Sequence, residues 1–197
     1  MGILRPHLTL TLLLAPLAVF GWTFHPDERM EPDASSPRHI AMFEEFKTLA
    51  EKGDVDAQFK LGFCYKIGCG TPKRDYLLAK KWFLKAAEAG LADAQFELAD
   101  SKYFDRDKDK ETYFKFLYQA AARNYPKAFY SLGAHYENGW GVPRDELEAY
   151  AYYNLAYSAF PWAARSCQDL EKKMTPEQRL AGQKRSKEIL KELESKR

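Results

Sequence analysis

The residues of this chain best suited to chemistry are four histidines, three cysteines and one aspartate-rich turn. A histidine grouped with cysteines or carboxylates can hold zinc, and its ring can move protons near neutral pH. His7, His25 and His39 all precede the body of the chain, and only His135 stands within it, beside Tyr136. No His, Cys and Asp group has zinc-ligand spacing. The turn DRDKDKETYFKF (105–116) imitates a calcium loop at its first three acidic positions. It carries Lys110 where such loops need glycine and Phe116 where they need a bidentate glutamate, so a solvated charged turn is the better reading. GCGTP and GWGVP contain Gly-x-Gly but lack the preceding strand and the further glycine of a nucleotide fingerprint. The residues therefore assign no catalytic group, metal or cofactor, and the elements that carry them become the better guide.

The chain has 197 residues, enough for one domain or two small ones with a real core. Hydrophobic residues at 46% and charged residues at 29% exclude a wholly disordered chain and a multi-pass membrane protein. A net charge of +2 offers no electrostatic case for binding nucleic acid.

Residues 1–21, MGILRPHLTLTLLLAPLAVFG, place Arg5 before an apolar run over 8–20. That run is shorter than the about 20 residues of a membrane span. A basic start, a short apolar middle and small residues at Val19 and Gly21 predict a signal peptide cut after Gly21. The alternative is an uncleaved anchor. No cysteine follows directly, which argues against a lipoprotein. Residues 22–38 are rich in proline and charge and read as a flexible tether.

Internal repetition governs the rest. GDVDAQFKLG (53–62) returns as GLADAQFELA (90–99), 37 residues on, and as NYPKAFYSLG (124–133), 34 further on. A worn fourth start is FPWAARSCQD (160–169). Upstream, FKTLAEKG (46–53) mirrors FLKAAEAG (83–90), so a half unit precedes the first repeat. The predicted segments are a helix over 39–53, repeats over 54–90, 91–124 and 125–160, and a partial fourth repeat with a closing helix over 161–197.

Each unit reads as two helices. Ala57, Leu61 and Tyr65 share one face of the first, as Ala128, Leu132 and Tyr136 do two units later. Gly62 and Gly133 leave room for a neighbouring helix to approach. Loops GCGTPKRD (68–75) and GWGVPRD (139–145) follow, and Asp75 and Asp145 are predicted to cap the second helices. Glu148, three residues past Asp145, suggests a capping box. The second helices carry Ala79, Trp82, Ala86 and Ala87, matched by Ala149, Tyr152, Ala156 and Tyr157. The second repeat lacks the Gly-x-Gly loop, so a tighter, irregular turn is expected there. Near the end, Thr175, Pro176 and Gln178 predict a capped last helix. Its sparse apolar face would be Leu180, Ile189, Leu190 and Leu193, covering the open end of the stack.

The pattern A-x-x-x-L-G-x-x-Y, then G-x-G-V-P-R-D, then A-x-x-Y, resembles the Sel-one-like repeat (SLR) family, relatives of the tetratricopeptide repeats. The resemblance covers roughly residues 40–170. It implies an all-α fold, a right-handed α-solenoid of stacked helix-turn-helix repeats whose first helices line a concave face. The positions matching that face are Phe63, Lys66, Asp100, Tyr103, Tyr130 and Glu137. Such a mixed aromatic and charged lining suits a protein or peptide partner. Trp140, between two loop glycines, is a further candidate contact.

Some cysteine-rich bacterial relatives have been linked to β-lactam binding or hydrolysis, chemistry that usually needs a serine three residues before a lysine. None of the eight serines has that neighbour. Those relatives also resemble a ladder in which two cysteines tie the helices of each unit. Here only Cys64 and Cys69 fall in one unit, five apart. A local disulfide between them is one reading, and buried small apolar residues are the other. Cys167 is three units away, on the order of 30 Å by helix spacing, and out of reach of both.

The resulting expectation is an exported scaffold, periplasmic or secreted, binding a protein or peptide through the concave face without catalysis. No cofactor, metal, nucleic acid or membrane span of the mature chain is expected, and a monomer is. The alternatives are an enzyme of the β-lactam-binding type and an intracellular or organellar assembly adaptor.

Overall fold

The computed structural model describes residues 36–71, 73–99 and 110–195. All of these lie in the unit formed by residues 32–197. The segments predicted as a signal peptide and, up to residue 35, as a tether, the acidic turn up to residue 109, and the site candidates Asp100 and Tyr103 lie outside the described residues.

Among the described residues there are nine α-helices and no strand. α1 (Pro37–Glu51) begins two residues before the predicted half repeat, because Ser36 caps it and Pro37 opens its first turn. The repeats follow as pairs: α2 (Val55–Ile67) with α3 (Tyr76–Glu88), α4 (Ala92–Leu98) with α5 (Lys110–Ala122), and α6 (Pro126–Asn138) with α7 (Glu146–Ala156). α8 (Pro161–Glu171) and α9 (Pro176–Glu194) close the chain. None of the described helices is long and apolar enough to cross a membrane.

Local chemistry sets these boundaries. Asp54 and Asp75 accept the Ala57 and Leu78 amides at 2.7 and 2.9 Å, satisfying N–H groups that the first turn leaves free. α2 and α6 end on Gly68 and Gly139, both left-handed, a conformation that costs glycine little. The loops then fold back alike, the Asp75 amide donating to the Tyr65 carbonyl at 2.8 Å and the Asp145 amide to that of Tyr136 at 2.9 Å.

Asp145 caps α7 as predicted, accepting from the Leu147 and Glu148 amides. The capping box does not form. Glu148 points across to Arg185 of α9 at 2.6 Å, because the Asp145 amide is already committed to Tyr136. The Thr175 box does form: the Thr175 hydroxyl accepts from the Gln178 amide at 3.3 Å, and the Gln178 side chain returns to the Thr175 amide at 2.8 Å.

Each helix packs on the next from α1 to α8. In the first and third pairs the close approach centres on a glycine. A Cβ on Gly62 would lie 2.7 Å from the Phe83 ring, and one on Gly133 would lie 2.6 Å from the Tyr153 ring. Phe83 and Tyr153 are thus core rings at equivalent places of α3 and α7. Trp82 is only half-buried, with Lys85 Nζ 4.2 Å over its ring, and Tyr157 is exposed.

α9 departs from the expected end cap. It packs on α7 and reaches α5, running over second helices instead of extending the stack beyond α8. Leu180 is 68% exposed and takes no part. The crossing is made by Gly182, Ser186, Ile189 and Leu193, spaced four, three and four residues apart on one helix face. The Ser186 hydroxyl donates to the Ala151 carbonyl at 3.0 Å and accepts from Asn154 at 3.2 Å.

Candidate interaction surface

Of the described residues to which the sequence assigns partner binding, Phe63 and Lys66 lie on α2, Tyr130 and Glu137 on α6, and Trp140 in the loop after α6. Phe63 does not serve as an exposed contact: it is 6% exposed and packs between Phe59 and Phe83 at ring distances of 5.5 and 5.9 Å. Its place one residue after Gly62, where the second helix comes closest, draws it inward. Lys66 covers it, with Nζ 5.1 Å from the ring, a cation–π arrangement. Lys66 also pairs with Glu97 of α4, each side chain 16% exposed, so this ion pair fastens the first helix of one repeat to that of the next. Sequence reasoning missed Glu97; only the stacking of α2 beside α4 brings residues 31 apart together.

Tyr130 and Glu137 of α6 converge on one second-helix residue. The Tyr153 hydroxyl donates to Glu137 at 2.7 Å, while the Tyr153 ring lies 5.5 Å from Tyr130. Phe160 completes the platform at 5.1 Å from Tyr130. Tyr130 is half-buried, its ring held on two sides. Such a ring meets a partner with little further loss of side-chain freedom. Trp140 is 52% exposed, and its edge faces His135 at 6.1 Å.

His135 is a structural residue. It is buried, with Nδ1 2.6 Å from the Trp140 carbonyl and Nε2 2.6 Å from the Tyr113 hydroxyl. The carbonyl can only accept, so Nδ1 carries the proton and Nε2 accepts from Tyr113. The ring therefore ties the end of α6 to its loop and to α5. The glycine loops likewise serve packing: Gly141 sits under Phe114, where a Cβ would lie 3.0 Å from the ring. Among the described residues no cluster of His, Cys, Asp or Glu could hold a metal.

Three tyrosines meet where α5, α6 and α7 join. Tyr118 and Tyr136 hydroxyls are 3.2 Å apart, and the Tyr136 and Tyr152 rings stack at 5.6 Å. Burial pushes Tyr118 up to about 12, and raises Tyr136 and Tyr152 too, with the Glu148 charge adding to each. Burial, then the hydrogen bond to Glu137, raises Tyr153. A phenol whose folded value exceeds its unfolded value of about 10 stabilises the fold fully below that pH and loses the contribution as pH climbs through the folded value. Stability should accordingly fall from about pH 10 upward, by up to about 1.4 kcal/mol per pH unit for each such tyrosine. Urea unfolding at stepped pH, with phenolate absorbance followed in parallel, checks this. Stability that stays constant from about pH 9 to about pH 12 would contradict it.

The Sel1 repeat family model matches residues 55–91, 92–125 and 126–159. The chain is 30% identical over 136 residues to chitin synthase regulatory factor 3 of Schizosaccharomyces pombe, spanning 64% of this chain and 14% of that protein. It is 34% identical over 110 residues to the ERAD-associated E3 ubiquitin-protein ligase component HRD3B of Arabidopsis thaliana, spanning 54% of this chain and 17% of that one. It therefore spans less than a fifth of these relatives' length.

Among solved structures, it resembles c5321, a protective antigen of uropathogenic Escherichia coli displaying an SLR fold. The TM-score is 0.65 at 28% identity, over 76% of this chain and 32% of that one. It also resembles a Sel1 repeat protein from Oxalobacter formigenes, with a TM-score of 0.55 at 35% identity, over 64% of this chain and 96% of that one. The paired helices, the recurrent glycine contacts and three consecutive matches agree: this chain is an α-solenoid and belongs to the Sel1 repeat family.

Proposed function

We propose that this chain is an exported, non-catalytic scaffold that holds a protein or peptide partner along its first helices. The observation carrying this reading is Tyr130, half-buried against the core ring of Tyr153 and against Phe160, with Glu137 as a fixed acceptor beside it. Aromatic anchors flanked by charge are the usual composition of protein-binding surfaces. Two of its relatives, a regulatory factor and a ligase component, bear names of proteins that act with others. Export rests on residues 1–21 alone, and a mature N-terminus at Trp22 is its expected readout.

The test is crosslinking capture from an envelope extract, comparing wild type with Tyr130→Ala. Loss of one anchor ring should weaken capture at least tenfold, the effect of a hot-spot side chain worth about 2 kcal/mol. Aromatic contact should also make binding tolerant of salt up to about 0.5 M, where exposed charges are screened. Capture unchanged by Tyr130→Ala would reject this surface, and collapse of capture in salt would reject the aromatic basis.

A further inference from the structure

Cys64 and Cys69 occupy two defined places at the end of α2. Gly68 is the left-handed residue just past the helix, and the amides of Gly68 and Cys69 both donate to the Cys64 carbonyl, at 2.8 and 3.0 Å. This is the Schellman type of helix ending, and it brings the side chains at these two places into contact. In the third repeat the corresponding residues are His135 and Trp140, where the Trp140 amide donates to the His135 carbonyl at 3.0 Å. There the His135 ring grips the Trp140 carbonyl and fastens loop to helix. In the first repeat two thiols stand in those positions, both buried.

The loop that Cys69 opens is the seat of α1. A Cβ on Gly70 would lie 2.5 Å from Phe43 Cβ and would collide with the His39 carbonyl, so the loop backbone lies directly against α1. Phe43 in turn meets the Tyr65 ring edge-on at 5.4 Å.

We propose that Cys64 and Cys69 are a reversible oxidation site, forming a disulfide within one helix ending that locks the loop to α2 and holds the seat of α1. This differs from a bridge between the two helices of a repeat. The oxidant is a disulfide of the glutathione class. The Cys69 thiolate attacks one sulfur of that disulfide, and the other leaves as a thiolate and takes up a proton. Cys64 then loses its proton and attacks the Cys69 sulfur of the mixed disulfide, releasing the second thiol. Two cysteine thiols are oxidised and one disulfide is reduced to two thiols. Burial raises both cysteines, Cys64 to about 12, while the interaction between the two thiols opposes the rise only at Cys69. Cys69 is thus the entry point. Cys167, pushed up to about 12 by burial in the core of the last helices, is a poor competitor.

The experiment treats the full chain with oxidised glutathione at about pH 9, where more thiolate is present. It then alkylates in denaturant without reduction and maps the peptides by mass. The expected product has lost two hydrogens across Cys64 and Cys69, with Cys167 alkylated. Its Tm should rise by about 5 °C, the effect of closing a six-residue loop, and should return on reduction. Amides over 39–43 should exchange more slowly in the oxidised form. Cys69→Ala should show neither change. Three alkylated cysteines, a persistent glutathione adduct, a bridge to Cys167 or to a second chain, or a disulfide that forms only in denaturant would each overturn the proposal. A disulfide that leaves exchange over 39–43 unaltered would overturn its role at α1.

Discussion

Gly133→Val should lower the unfolding free energy by about 3 kcal/mol. At this position the first β-carbon would stand 2.6 Å from both Cδ1 and Cε1 of Tyr153. That ring cannot swing aside, because its hydroxyl is held by Glu137 and its faces are packed in the core. The helices must therefore part, and buried contacts along α6 and α7 weaken together. Gly133→Ala should cost less, since alanine regains about 1 kcal/mol of helix propensity against the same clash. Gly62→Val should behave like Gly133→Val, for a Cβ there would stand 2.7 Å from the Phe83 ring. Chemical denaturation of the three variants measures the differences. A Gly133→Val protein within about 0.5 kcal/mol of wild type would refute the close approach of these helices.

Tyr153→Ala is expected to cost about 4 kcal/mol, the usual range for removing a large buried ring. The residue is almost wholly buried, fills the gap beside Gly133 and supports Tyr130. Tyr153→Phe separates the two functions of the side chain. It keeps the ring and leaves Glu137 without its donor, at about 1 kcal/mol. Partner capture should then fall in Tyr153→Phe through a released Glu137, while the melting curve moves little. Equal stability losses in the two variants would show that the hydroxyl, not the ring, carries the packing.

The local features of this chain were legible because they depend on neighbours a few residues away. The 34- to 37-residue period marked the repeats, and Asp75, Asp145, Thr175 and Gln178 marked helix starts whose capping bonds the structure contains. Gly62 and Gly133 marked the close approaches, since only glycine leaves space at a helix crossing. The candidate surface was legible only in part. Phe63 reads as a groove residue by its place in the repeat, yet the approach at Gly62 turns it into core.

By itself the sequence determined the fold class, the repeat period and several helix starts, because period and capping are short-range and nearly independent of what lies beyond the next turn. Only the tertiary structure decided which side chains meet across helices. Lys66 with Glu97, Tyr153 with Glu137, and Arg185 with Glu148 are each paired by how neighbouring helices cross. It also decided the course of α9, which finds in Tyr150 and Ala151 of α7 a surface shaped for Gly182 and Ser186. Such contacts depend on crossing angle and interhelical distance, quantities that accumulate over many residues and that no short stretch of sequence specifies.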